Sequence, residues 1–260
     1  MIEVVGFDEA PLAELRYLNA SRRGKAEATR LALQRGRARG LPEAIDALVV
    51  TSDLQGIVPD ARTRESTLLG VAVADALEEL AFDDVLPRAA RTGVILAGDL
   101  YSVPAADERG GHGPVAAVWD AFAGPFAWVV GVAGNHDDVG GVVESEEVVV
   151  LDSSRTTVGG LRVGGVGLVC GNPGKVGRRG EDDQLARIEE VARSGVDVLV
   201  LHEGPAGAPE QRGHPEIRAI VERARVPLTI CGHVHWDDPL ARHAGGQILN
   251  VDARVIVLTR

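Results

Sequence analysis

Five short polar clusters, each standing at the end of an apolar, β-prone run, restrict the fold open to this chain more than any other feature. The clusters are Asp53-Leu54-Gln55, Gly98-Asp99, Gly134-Asn135-His136-Asp137, His202 and Gly232-His233-Val234-His235. The runs before them cover residues 47–50, 93–96, 127–132, 196–201 and 227–230. Polar side chains at the carboxyl ends of several strands can meet at one point although they lie far apart in the chain. Asp, Asn and His in this mixture suit divalent metal ions of intermediate hardness. The set reads as one metal site holding two ions.

Between the clusters the pattern alternates. Strands are expected at 47–52, 93–97, 126–132, 196–201 and 227–230, with two more β-rich segments at 247–251 and 254–258. Thr63 is placed to cap a helix over 64–80, where Leu69, Val73, Leu77 and Leu80 fall near helical spacing. Further helices are expected at 115–122 and 182–193, and from Pro215, a residue suited to a first helical turn, to about 224. Residues 104–114, rich in Gly and Pro, read as an irregular loop. In the middle, Val148-Val149-Val150-Leu151, Thr156-Thr157-Val158 and residues 161–169 read as antiparallel strands, with Gly159-Gly160 as a hairpin turn. Before residue 47, Val4-Val5 suggests a short strand and residues 26–34 a helix ended by Gly36 and Gly40-Leu41-Pro42. The expected fold class is α/β: two packed mixed β-sheets flanked by helices, formed by residues 47–260, with residues 1–46 as a basic, partly helical N-terminal extension.

Composition excludes several classes. The chain has 260 residues, 45% hydrophobic and 25% charged, ordinary for a globular protein. Aromatics are only 3%, so the core must come from Val, Leu, Ile and Ala. No apolar run approaches the roughly 20 residues that span a bilayer, and no membrane association is expected. The N-terminus shows no basic segment followed by an apolar one, so a cytoplasmic location is expected. Cys170 and Cys231 make no disulfide framework and read as small hydrophobes in a reducing compartment. Charge is uneven. Residues 16–39 hold eight Arg and Lys against the single acid Glu27, a net +7 that leaves −18 on the remainder of a chain whose formal charge is −11. Such a segment reads first as a solvated face beside an acidic body. The acidic remainder argues against a broad nucleic-acid footprint.

The five clusters, in this order and in strand context, resemble the calcineurin-like metallophosphoesterase superfamily, which carries D-x-H, G-D, G-N-H-[D/E], H and G-H-x-H. The resemblance covers about residues 47–258. It implies a four-layer sandwich fold and hydrolysis of phosphate esters, monoesters or diesters, by two divalent ions (Mn, Fe, Zn, Ni or Co). A small-molecule phosphoester is the implied substrate, nucleotides among the candidates. Asp99 would bridge the ions. Asp53, Gln55 and His235 would complete one position, and Asn135, His202 and His233 the other. A water between the ions would be the nucleophile. His136 would protonate or stabilise the leaving oxygen, oriented by Asp137. Any one of these histidines alone reads as a surface or satisfied core residue; their joint occurrence overturns that for His136, His202, His233 and His235, and leaves His112, His214 and His243 as ordinary loop residues.

Two positions depart from the pattern. Gln55 stands where the family usually has histidine. It reads as a weak ligand, with two alternatives open: it holds a metal-bound water, or its position is often empty. Leu100-Tyr101-Ser102 stands where many relatives place another Asp, which makes Asp137 the expected partner of His136. The loop Gly171-Asn172-Pro173-Gly174-Lys175, with Arg178 and Arg179, is the candidate for further phosphate contacts, through Asn172, Lys175, Arg178 and Arg179; a flexible basic loop without that role is the equal alternative. Two other functions stay in play: a nuclease that uses residues 16–39, and a binding or scaffold protein with a degraded metal site.

Overall fold

Successive residues of one strand, Val49 and Val50, enter different hydrophobic cores, and that division organises the architecture. In the computed structural model the described residues are 1–59 and 66–260. Their strands in chain order are β1 (Glu3–Phe7), β2 (Ala13–Ala20), β3 (Ala26–Arg39), β4 (Ala47–Ser52), β5 (Ile57–Pro59), β6 (Ser66–Leu68), β7 (Thr92–Leu96), β8 (Gly113–Pro114), β9 (Trp128–Gly131), β10 (Asp137–Asp138), β11 (Val148–Val150), β12 (Ser154–Val158), β13 (Leu161–Val166), β14 (Val169–Cys170), β15 (Arg178–Arg179), β16 (Val198–Glu203), β17 (Leu228–Gly232), β18 (Leu240–His243), β19 (Gly246–Asn250) and β20 (Arg254–Thr259). The helices are α1 (Leu69–Phe82), α2 (Ala116–Ala123), α3 (Glu181–Ala192) and α4 (Pro215–Ala224).

The larger sheet runs β11-β9-β7-β4-β20-β3-β2-β5-β6, with β1 also paired to β3. The smaller runs β12-β13-β16-β17-β19-β18. Parallel pairs β4–β7, β7–β9, β13–β16 and β16–β17 bring the cluster-bearing strand ends to the same side within each sheet. Because successive side chains alternate across a strand, one face of the large sheet (Val50, Ile95, Val130, Ile256) shares a core with Val163, Val198 and Ile230 of the small sheet. Its other face (Val49, Val94, Val129) packs on Leu69, Val73 and Leu77 of α1 and on Trp119 and Phe122 of α2. The far face of the small sheet (Leu199, Leu201, Ile248) packs on Ile188 of α3 and on Ile217 and Val221 of α4. Each such side chain, fully buried, contributes about 1.5–3 kcal/mol over exposure. α4 starts at Pro215, as expected, and His214 caps it by accepting the Glu216 amide at Nδ1 across 3.2 Å.

Two expectations are corrected. Residues 26–34 form no helix: β3 is a strand over Ala26–Arg39. Leu31, Leu33, Gly36 and Ala38 are buried there, while Ala32, Arg37 and Arg39 are exposed. Pairing on both sides, Leu31 with Leu15 of β2 and Leu33 with both Ala13 and Val255 of β20, overrides the helix propensity of its Ala, Leu and Arg residues. Two of its cations face nearby acids: Arg30 lies 2.8 Å from Glu14 and Arg37 3.6 Å from Asp8. The second correction concerns Val148-Val149-Val150-Leu151. Residues 148–150 form β11, which lies parallel to β9 at the edge of the large sheet. The connection through residues 132–147 is long enough to return the chain to the starting end of β9, as a parallel crossover requires. The hairpin β12–β13 is antiparallel as expected, and it turns at Gly159 and Gly160, both at positive φ (53° and 82°). Helix α1 starts at Leu69; the expected cap Thr63 lies outside the described residues.

Candidate metal centre

Where β4, β7 and β17 end, the chain turns through left-handed backbone at three polar residues: Asp53 (φ 55°), Asp99 (φ 55°) and His233 (φ 69°). Non-glycine residues rarely hold this conformation, and where they do the surrounding structure must enforce it. Gly98 makes the close approach possible. A Cβ there would lie 2.5 Å from the Gly134 nitrogen and 2.9 Å from Nδ1 of His202, and its φ is +90°. The second, third and fourth clusters meet at this glycine.

Asp99 is buried (2% exposed) and central. Its Oδ1 accepts the His136 backbone N–H (3.0 Å), and its Oδ2 lies 3.4 Å from Nε2 of His202 and 3.9 Å from Nε2 of His136. Burial would raise its pKa, but His202 and then His136 outweigh burial and hold it at about 2. His202 is fully buried, with Nδ1 2.9 Å from the Ala97 carbonyl. A carbonyl only accepts, so Nδ1 carries hydrogen and Nε2 is the nitrogen aimed into the cluster, 3.2 Å from Oδ1 of Asn135. Burial disfavours its cation, yet Asp99 and Asp53 lift its pKa to about 10. The His233 ring stands edge-on to that of His202, centroids 5.1 Å apart, and burial followed by the His202 charge keeps it below its ordinary value. Among the described residues, Asp99, His202 and His233 form the group of His, Cys, Asp or Glu side chains whose ligand atoms lie within 4.8 Å of one another. The Asn135 side-chain oxygen points at the same place.

The remaining expected residues are placed differently. Asp53 accepts at Oδ2 from the Ser52 hydroxyl and from the His233 backbone N–H (2.9 Å). Burial, Asp252 and Asp99 raise its pKa against His202 and Ser52. Gln55 donates from Nε2 to Oδ2 of Asp99 (3.0 Å) and lines a cleft with Asn19, Tyr101, Ser102 and Arg109. His235 is 53% exposed, with Nδ1 3.0 Å from Oδ2 of Asp252 and Nε2 3.4 Å from Nη2 of Arg254.

His136 is half-buried, and its partner is not Asp137. Its Nδ1 lies 2.9 Å from the Gly111 carbonyl. Asp137 accepts three backbone N–H groups instead: Leu100 (2.7 Å) and Tyr101 (3.1 Å) at Oδ1, and Gly134 (2.9 Å) at Oδ2. The expected orienting carboxylate is therefore a clamp between the second and third clusters. Adjacent residues at a strand end project in opposed directions, and the amides of the Asp99 loop reach Asp137 first.

The loop after β14 touches the centre through its backbone: a Cβ on Gly177 would lie 2.2 Å from the Asn135 carbonyl oxygen. Asn172 is used within the loop, accepting the Gly174 amide (2.9 Å), and Lys175 is exposed. Arg178 donates to the Cys170 carbonyl (3.2 Å). Arg179 is bound to Asp152 (3.0 Å) and Gln184 (2.7 Å) and is only 12% exposed. Sequence reading missed Ser52, Gly111, Asp252 and Arg254. Asp252 lies between the last two β-rich segments and Arg254 opens the second, where no local pattern distinguishes them from any surface charge.

The calcineurin-like phosphoesterase family model matches residues 47–237. This chain belongs to that family, a class of metal-dependent hydrolases acting on phosphoester bonds. No curated protein matches the chain. No helix among the described residues is long and apolar enough to cross a membrane.

Proposed function

We propose that this chain hydrolyses phosphate esters using a divalent cation held by Asp99, Asn135, His202 and His233, with His136 serving the leaving oxygen. The observation that carries this reading is the convergence of Asp99, His202 and His233 ligand atoms within 4.8 Å, with the His136 ring facing the same carboxylate. The donor set fits such a cation: one carboxylate, one amide oxygen and two imidazoles suit metals of borderline hardness. A cation there supplies Lewis acidity, drawing charge from phosphoryl oxygens and acidifying a water.

The chain's own residues do the rest. The Ala97 carbonyl fixes the His202 tautomer so that Nε2 faces the cluster. The Asp53 carboxylate anchors the backbone of His233. The Gly111 carbonyl accepts from Nδ1 of His136, so Nε2 is the nitrogen left to exchange a proton with a leaving oxygen. The three cores support a helix–sheet–sheet–helix layering, which carries these loops on rigid strand ends. The small cleft lined by Gln55, Asn19 and Arg109 opens beside Asp99.

The test is a substrate panel (p-nitrophenyl phosphate, its bis-ester and common nucleotides) run on chelator-treated protein with Mn, Zn, Ni or Co restored singly. Turnover should vanish on chelation and return with at least one metal. Turnover unchanged after complete metal removal would overturn the reading.

A further inference from the structure

We infer that the side of this centre formed by Asp53, Gln55 and His235 is a hydrogen-bonded framework and not a second cation position, so that the chain holds one tightly bound ion. This rests on the functional reading above and departs from the two-ion arrangement that the motif order implies. Each of the three residues takes part in hydrogen bonds that tie this side of the centre together. Gln55 directs an N–H at Oδ2 of Asp99 (3.0 Å), the same oxygen that lies 3.4 Å from His202. A bridging carboxylate would turn a lone pair of that oxygen towards an ion on the Gln55 side; here an amide N–H occupies that direction. An amide is in any case a poorer donor to borderline metals than the imidazole the family places there.

Asp53 serves the built position, since its Oδ2 holds Ser52 and the backbone of His233. His235 has both ring nitrogens in use. Asp252 accepts from Nδ1, so Nε2 keeps its lone pair, and the Arg254 guanidinium faces that lone pair at 3.4 Å. Arginine can only donate, so a fixed cation stands against the nitrogen that would ligate a metal. It is held there by the carbonyls of Trp236, Asp237 (3.3 Å) and Asp252 (3.4 Å). Asp53 and His235 accordingly fall outside the group of converging ligand atoms. Arg254 acts as a positioning residue: it keeps His235 in the framework and provides positive charge beside Asp252 without a second metal.

The experiment is a Mn²⁺ titration of the chelator-treated full chain, read by calorimetry, by metal content after desalting and by electron paramagnetic resonance. Wild type should take one ion per chain, show an isolated-ion spectrum, and take no second ion of comparable affinity. His235→Ala should still take one ion per chain, its affinity lowered by no more than the roughly 10–100-fold that loss of an outer contact costs. The double variant Gln55→His with Arg254→Met should gain a second ion and an exchange-coupled spectrum. Two ions of comparable affinity in wild type, a coupled Mn–Mn signal, or loss of an ion in His235→Ala would overturn the inference while leaving the functional reading intact. Failure of wild type to bind any ion would overturn both. The wild-type stoichiometry decides the matter even if the double variant fails to fold.

Discussion

Nε2 of His202 lies 3.4 Å from Oδ2 of Asp99, and both side chains are nearly sealed from solvent. In metal-free protein this is an ion pair whose two halves titrate in opposite directions. The His202 pKa rises from 6.5 to about 10, so its contribution to stability is fully present below pH 6.5 and is lost as pH climbs through about 10. The Asp99 pKa falls from 3.8 to about 2, so its contribution is present above pH 3.8 and is lost as pH drops through about 2. Thermal melts of chelator-treated protein should therefore decline between pH 6.5 and 10. Asp99→Asn should flatten that alkaline decline; an unchanged slope would show that the pair does not set it.

The same pair makes metal uptake a proton-releasing event. Nε2 of His202 must give up its hydrogen before it can ligate. Calorimetry near pH 7 in buffers of different ionisation enthalpy should report about one proton released per ion, with apparent affinity rising with pH. Heats independent of the buffer would mean that His202 is already neutral or does not ligate.

His136→Ala should retain the metal and lower turnover by about 10²–10⁴-fold. The loss should be largest for alkyl esters, whose leaving groups most need a proton, and smallest for p-nitrophenyl esters. Equal losses on both would remove His136 from the role of acid. Loss of metal content instead would place its ring among the ligands.

Asp137 ties the second cluster to the third by accepting from Leu100, Tyr101 and Gly134. Asp137→Ala leaves three backbone N–H groups without that partner. Each buried donor left unsatisfied costs about 1–3 kcal/mol. Denaturant unfolding should show a loss of at least that size, and metal affinity should fall because the Asp99 loop is no longer held. Wild-type stability in the variant would mean that water or another acceptor replaces the carboxylate.

What the chain determined locally is the existence of the cluster-bearing strands and of the residues at their ends. Runs such as 47–50 and 93–97 have no polar side chain to face solvent, so burial inside a sheet was legible from composition alone. The Gly-Gly of the β12–β13 hairpin and Pro215 at the start of α4 were equally local. Partner choice was not. His136 and Asp137 are adjacent in sequence yet bond to different loops, because the amides of Leu100 and Tyr101 and the carbonyl of Gly111 arrive from distant parts of the chain. Residues 26–34 carried both a helical composition and Leu31 and Leu33 at strand spacing; only ladders to β2 and β20, contributed from the two ends of the chain, decided between them. Asp252 and Arg254 follow β19 near the C-terminus and meet His235 only when β17 and β20 come together. Their contacts with His235 are a property of tertiary packing, since a hydrogen bond between residues far apart in the chain leaves no periodicity in the sequence.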